Sequence, residues 1–204
     1  MERRAEPRGE TLGIDARGRG PITVRRLTPR DRMIVAALLC RLSDTTWGLR
    51  YMRPLSRSAA QIAAETERIA GGDQSQRMVL LAVVGGAHGE QVVAIAELVC
   101  DQDKPSGELA IVVSDEEQRQ GIGRALVRRL ASEARARGLT SLRIDTLAEN
   151  RAMLALIRGL GAPQTVDYCR GEVRVVVDLR LWPPLRRPNG IWSLVNVDLG
   201  GILL

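Results

Sequence analysis

The chain has 204 residues, 45% hydrophobic and 26% charged, a balance that excludes a wholly disordered chain, a collagen-like fibre and an integral membrane protein. Only 2% of residues are aromatic and none is Phe, so the core must be assembled from Val, Ile, Leu and Ala. The formal net charge is +6, and all but one of the 30 basic residues are Arg, a skew that reflects genome composition rather than function. The charge is uneven. Residues 119–158 carry nine Arg against three acids and no aromatic residue. A nucleic-acid surface would interleave basic and aromatic side chains for stacking. This block suits a local site for a small polyanion, or else a solvated Arg-rich helix face. Cys40, Cys100 and Cys169 are too scattered for a disulfide framework or a metal site, and their apolar surroundings predict buried structural thiols in a reducing compartment.

In chain order, residues 1–20 mix charge, Gly and Pro without an apolar period and read as a flexible arm. No apolar run follows the early arginines, so a secretory signal is not expected. Residues 22–27 read as a strand. Thr28-Pro29-Arg30-Asp31 supplies an N-cap, a Pro at the first helical position and an acid in the first turn, opening a helix to about Leu42. A second helix is predicted over 58–70, stopped by Gly71-Gly72. Strands follow over 78–84, 92–100 and 108–113, the first two joined as a hairpin through a Gly-rich turn that exposes His88. A helix over 121–137 places Ile122, Leu126, Leu130 and Ala134 on one face and Arg124, Arg128 and Arg135 on the other. A strand over 141–147, a helix over 151–159 and a strand pair over 165–169 and 173–181 complete the order. Residues 182–204 begin as a Pro-rich stretch and end apolar, too short and too interrupted by Asn196 and Asp198 to span a bilayer of roughly 20 apolar residues.

The most informative stretch runs from Val112 to Arg124. A strand passes through a polar loop into Gly121 and Gly123 at the start of an amphipathic helix. Backbone N–H groups at such a terminus, with the positive end of the helix dipole and no Cβ in the way, form an anion site. Arg119 and Arg124 add charge. A dinucleotide fold would place three glycines directly after its strand. Here Leu126 stands at the third position, although Asp145 at the end of the next strand imitates the ribose-binding acid.

The stretch Gln118-Arg119-Gln120-Gly121-Ile122-Gly123 fits the pattern [QR]-x-x-G-x-[GA], and Asn150-Arg151-Ala152-Met153-Leu154-Ala155-Leu156 followed by Gly159-Leu160-Gly161 fits N-x-x-[AM]…L…G. With the element order, these resemble the GNAT superfamily of acetyl-CoA-dependent N-acetyltransferases. Within it, residues 24–31, 42–51 and 107–113 are most similar to the catalytic domains of bacterial protein lysine acetyltransferases. The resemblance implies an α/β fold, a central mixed twisted β-sheet flanked by α-helices, over residues 21–181, with 1–20 as an arm and 182–204 as a tail of unassigned role.

It also implies direct transfer of the acetyl group of acetyl-CoA to a primary amine, on a protein lysine or a small molecule, with neither metal, nucleic acid nor membrane involved. A cytoplasmic monomer or homodimer is the expectation. Glu108, at the start of the strand before the loop, inherits the role of general base. Glu97 is the runner-up, on a strand face read as shared with Val93, Ile95 and Val99, where a structural partnership with an Arg is the commoner explanation. Backbone groups of Ile111, Val112 and Val113 would hold the pantetheine, those of Gln118, Arg119, Gln120, Gly121, Ile122, Gly123 and Arg124 the pyrophosphate, and Asn150 either the CoA arm or simply a helix N-cap. Acceptor recognition would fall around Trp47, Arg50, Tyr51 and Arg53, with Trp47 equally suited to plugging the core. Many members carry a Tyr where this chain has Ile157, and an aromatic where it has Ala162, so no general acid is assigned. A non-catalytic acyl-CoA-binding regulatory module is therefore the alternative.

Overall fold

The computed structural model describes residues 10–52, 57–71, 76–86 and 89–182. Strands β1 (Glu10–Asp15) and β2 (Pro21–Arg26) precede helices α1 (Arg32–Arg41), α2 (Asp44–Tyr51) and α3 (Ala59–Ala70). Strands β3 (Arg77–Gly86), β4 (Gly89–Cys100) and β5 (Ser106–Val113) lead to α4 (Ile122–Ala136), β6 (Ser141–Leu147), α5 (Arg151–Arg158), β7 (Gln164–Cys169) and β8 (Glu172–Asp178). All eight strands form one sheet in the order β1-β2-β3-β4-β5-β6-β8-β7. Every pairing is antiparallel except β5 with β6.

The near-continuous apolar runs of β3 and β4 follow from cover on both faces. On one face, Ile122, Leu126, Leu130 and Ala134 of α4 pack with Leu80, Leu98, Leu142 and Val175, as the helical spacing predicts. On the other, Val35, Leu38 and Leu39 of α1 and Trp47 of α2 pack with Leu81, Val83, Ile95 and Val112. Local chemistry sets the helix starts. Asp31 Oδ2 accepts from the Thr28 N–H (2.7 Å) and hydroxyl (2.9 Å), so a 3-10 turn over Pro29–Asp31 precedes α1. Ser58 and Gln61 exchange bonds at the start of α3, and the φ values of +49° and +86° at Arg170 and Gly171 make a tight hairpin of β7 and β8.

Several expectations need correction. Residues 10–15 are not a loose arm but an edge strand on β2, with Leu12 and Ile14 half-buried and Ala16 fully buried. The alternation is only three residues deep, and Asp15 Oδ1 closes the following turn by accepting from the Gly18 (2.9 Å) and Gly20 (3.1 Å) amides. Residues 1–9 lie outside the described residues. Helix α2 was not anticipated, because Trp47 alone of its eight residues is buried and no periodic stripe exists. Cys40 and Cys169 are exposed and Cys100 is half-buried, since α1 turns Cys40 away from its packed face and β7 is an edge strand. Val93 does not share a face with Glu97. The β3–β4 register shifts between Ala82 and Val83, and this bulge turns Val93 toward α4. Trp182 belongs to the core rather than to a tail, its carbonyl accepting from Arg135 (3.1 Å). The expectations for Arg53, His88 and residues 183–204 fall outside the described residues.

Candidate active site

Strand β5 pairs with β4 from Gly107 to Val113, but with β6 only at Ser106, Gly107 and Glu108. Beyond that point the two parallel strands part. The edge of β5 that carries Ile111, Val112 and Val113 therefore faces a fork instead of a ladder partner. The chain continues from this open edge through a 3-10 turn at Asp115–Glu117 and enters α4 at Gly121.

Among the described residues, no backbone N–H of residues 118–124 donates a hydrogen bond within the protein, and the first to do so is that of Ala125, to the Gly121 carbonyl (3.0 Å). Gly121 holds φ +86° and Arg119 φ +66°, which turns this run of amides about a tight loop. Gly123 has a different reason to be glycine. A Cβ there would lie 2.8 Å from Leu156 Cδ1 and 3.5 Å from Ile111 Cδ1, so α4, α5 and β5 converge on its bare backbone.

The loop's side chains are mostly committed to its own shape. Gln118 Nε2 donates to the Val113 carbonyl (3.3 Å) and to Thr46 Oγ1 (3.2 Å), and Gln120 Nε2 donates to Glu117 Oε2 (2.5 Å). Asp115 accepts from the Ser43 amide (2.9 Å), the Ser43 hydroxyl (2.6 Å) and the Thr46 hydroxyl (2.7 Å), tying the loop to the first turn of α2. Ile122 is core. Arg119 is exposed, whereas Arg124 donates to the Gly159 carbonyl and Arg128 to that of Leu160 (3.4 Å), both at the end of α5. The site is thus a cluster of backbone dipoles flanked by exposed Arg119, with Arg124 drawn away to the end of α5, rather than a ring of arginines.

Asn150 stands at the start of α5 and its Oδ1 accepts from the Met153 N–H (3.0 Å), the helix-cap role, leaving Nδ2 outside the cap. Ile157 is buried in the core beside α4 and offers no proton. Among the described residues no group of three His, Cys, Asp or Glu is placed to hold a metal ion, and no helix is long and apolar enough to cross a membrane.

Glu108 lies at the fork, on the sheet face turned toward α1, α2 and α3. Its carboxylate is half-exposed and accepts from Arg143 Nη2 of β6 (2.7 Å). The Glu108 contact comes first in holding the Arg143 guanidinium above its ordinary range; burial opposes it, and Asp101 and Asp145 reinforce it. Glu97 is a different kind of carboxylate. It is 2% exposed and gripped by Arg50 (2.7 Å), Arg68 (2.7 and 3.0 Å) and Arg77 (3.8 Å). Burial pushes its carboxyl up, but the Arg68 hydrogen bonds and the three positive charges outweigh burial and hold it below the usual range. It is the structural partner of arginines. Nearby, Trp47 is buried and its ring centroid lies 4.6 Å from that of Tyr51. Burial first, and the Glu65 carboxylate second, push the Tyr51 hydroxyl well up. The sequence reading missed Arg143, Asp115, Thr46 and Glu117. None carried a signal: Arg143 falls on the polar phase of an alternating strand, and the others lie in a loop or on a helix without an apolar stripe.

A fork between parallel strands leads into a glycine-bearing turn of unpartnered amides, an arrangement that suits an extended ligand ending in an anion. Residues 45–162 match the acetyltransferase (GNAT) family, and the chain belongs to it. GNAT enzymes use acetyl-CoA as substrate. A 68-residue stretch is 38% identical to the [ribosomal protein bS18]-alanine N-acetyltransferase of Escherichia coli K12, covering 33% of this chain and 44% of that relative. The chain thus spans less than half the length of the curated relatives it matches. The fold superposes on the crystal structure of the GNAT domain of S. lividans PAT with a TM-score of 0.71 at 24% identity, over 83% of this chain and 96% of that one. Spermidine N-acetyltransferase from Vibrio cholerae, solved with CoA and spermine, superposes with a TM-score of 0.57 at 16% identity, over 79% and 97%. At these identities the likeness is one of fold.

Proposed function

We propose that the chain is an acetyl-CoA-dependent N-acetyltransferase that acetylates a primary amine by direct transfer in a ternary complex, with Glu108 as general base. The observation that carries the donor half is the continuity of the open β5 edge with the unpartnered amides of residues 118–124. Pantetheine amides would take the ladder positions that β6 gives up, and the N–H groups of the same edge would polarise the thioester carbonyl. The pyrophosphate would occupy the turn at the positive end of α4.

An alkylammonium has no lone pair, so it must lose a proton before it attacks. Glu108 sits where the fork opens onto the α1–α3 face and would take that proton, directly or through water. The amine nitrogen then bonds to the carbonyl carbon, the C–S bond breaks, and the electron pair leaves on sulfur as the CoA thiolate. With Ile157 in the core, water relays the second proton of the acylated nitrogen to the thiolate, which leaves a neutral amide and CoA thiol. The relatives named above act on an alanine of ribosomal protein bS18 and on spermidine. A protein amine, such as a lysine side chain, or a small amine falls in the same chemical class, and acetyl-CoA as donor suits a cytoplasmic reaction.

Calorimetric titration of acetyl-CoA, followed by CoA-thiol release with lysine peptides, alanine-terminated peptides and spermidine, tests the reading. Micromolar one-to-one binding with amine-dependent release is expected, and no binding by folded protein overturns it. Binding without release for any amine favours the non-catalytic module, to which the buried Ile157 points.

A further inference from the structure

The donor loop contains a charge of the wrong sign for its ligand. Glu117 is 1% exposed and stands one residue before the run of unpartnered amides. A carboxylate buried there is costly to desolvate and repels a diphosphate placed beside it. Its compensation comes from outside the stretch that matches the family, which begins at residue 45. Arg19, in the turn between β1 and β2, ion-pairs with Glu117 Oε1 through Nη2. Its Nη1 donates to Gln91 Oε1 (3.0 Å) and its Nε to the Ala16 carbonyl (3.4 Å), which fixes the guanidinium plane. The second Glu117 oxygen holds Gln120 of the loop (2.5 Å). The same hairpin also touches the loop through Ile14, whose Cδ1 lies 3.8 Å from where a Cβ on Gly121 would sit.

We infer that Arg19 is a charge-compensating and positioning residue of the donor site: by neutralising buried Glu117, the β1–β2 hairpin sets the loop's affinity for the diphosphate of acetyl-CoA. The inference rests on the donor reading proposed above. With Arg19 present, the pair is neutral and the amide dipoles act unopposed. Without it, Glu117 stands as an uncompensated negative charge beside the turn and opposes those dipoles.

The test is calorimetric titration of acetyl-CoA into the full chain and into R19A, E117Q and R19A/E117Q, with the melting temperature of each. R19A is expected to weaken binding about tenfold or more, E117Q to tighten it about threefold, and the double variant to return to within about threefold of the unaltered chain. This order follows charge, whereas a merely structural pair loses affinity in both single variants. Unchanged affinity in R19A, or a loss in E117Q, overturns the inference. If R19A does not fold, the sign of the change in E117Q decides alone. An unaltered chain that does not bind acetyl-CoA overturns the donor reading and this inference together. Binding indifferent to both substitutions overturns this inference only.

Discussion

Glu108 and Arg143 form the last register pair that β5 and β6 share, and their side chains meet at 2.7 Å just where the strands part. The ion pair therefore closes the base of the fork and fixes the carboxylate that faces it. Glu108→Gln retains the shape but cannot take a proton, so acetyl transfer should fall about a hundredfold or more while acetyl-CoA affinity stays unchanged. Arg143→Ala should lower turnover by roughly tenfold through loss of positioning, with partial recovery in Arg143→Lys. Initial rates alongside donor titrations check both, and a Glu108→Gln enzyme with full turnover would remove the base assignment.

Gly123 and Leu156 make a second diagnostic pair. A methyl group at residue 123 meets Leu156 Cδ1 at 2.8 Å, so Gly123→Ala should destabilise the fold by about 1–3 kcal/mol. Trimming the partner makes room, and Gly123→Ala/Leu156→Ala should cost less than the sum of the two single changes. Denaturant unfolding of the four proteins measures the coupling. Gly123→Glu should in addition abolish acetyl-CoA binding, since its larger, charged side chain finds no room between Leu156 and Ile111 and must displace the turn that opens α4.

Glu97 should contribute to acid stability. Its folded carboxyl lies below the ordinary value of 4.5, so its ionised form contributes stability that is fully present above the unfolded value and lost as pH falls through the lower folded one. Unfolding free energies between pH 6 and pH 3 should therefore decline more steeply in the unaltered protein than in Glu97→Gln. At neutral pH, Glu97→Ala leaves Arg50, Arg68 and Arg77 facing one another and should cost about 3 kcal/mol. A stability profile in which Glu97→Gln tracks the unaltered protein throughout would contradict this account.

Asp115 couples the loop before α4 to α2 through three accepted hydrogen bonds, and Gln118 reaches the same Thr46. Asp115→Ala should cost about 1–2 kcal/mol and free the first turn of α2. Amide hydrogen exchange should accelerate in residues 44–51 and 114–121 together, with β3 and β4 unaffected. Acceleration confined to one of the two segments would show that they are not coupled.

Strands β2 to β8, helices α1, α3, α4 and α5 and the glycine turn before α4 were legible because each rests on local pattern. The 3.6-residue stripe of α4, the Thr28 and Ser58 caps and the positive-φ glycine at residue 121 act within a few positions of one another in the chain. The bulge at Val93 was not legible, since one extra residue in β4 makes sense only against the register of β3. Nor was β1, whose short alternation becomes a strand only because β2 offers an edge and the core takes Ala16.

By itself, then, the sequence determined the order of the main elements and the stretch of backbone suited to an anion. What only the tertiary structure decided is how charges are paired. Glu97 and Glu108 are both strand carboxylates in the sequence, yet one is sealed by three arginines from three elements and the other stands half-exposed at a fork. Arg124 turns from the anion turn to the end of α5, while Arg19 arrives at the loop from a hairpin 98 residues away. Electrostatic partners are chosen by distance in space and by burial, and neither is encoded in any window of the chain.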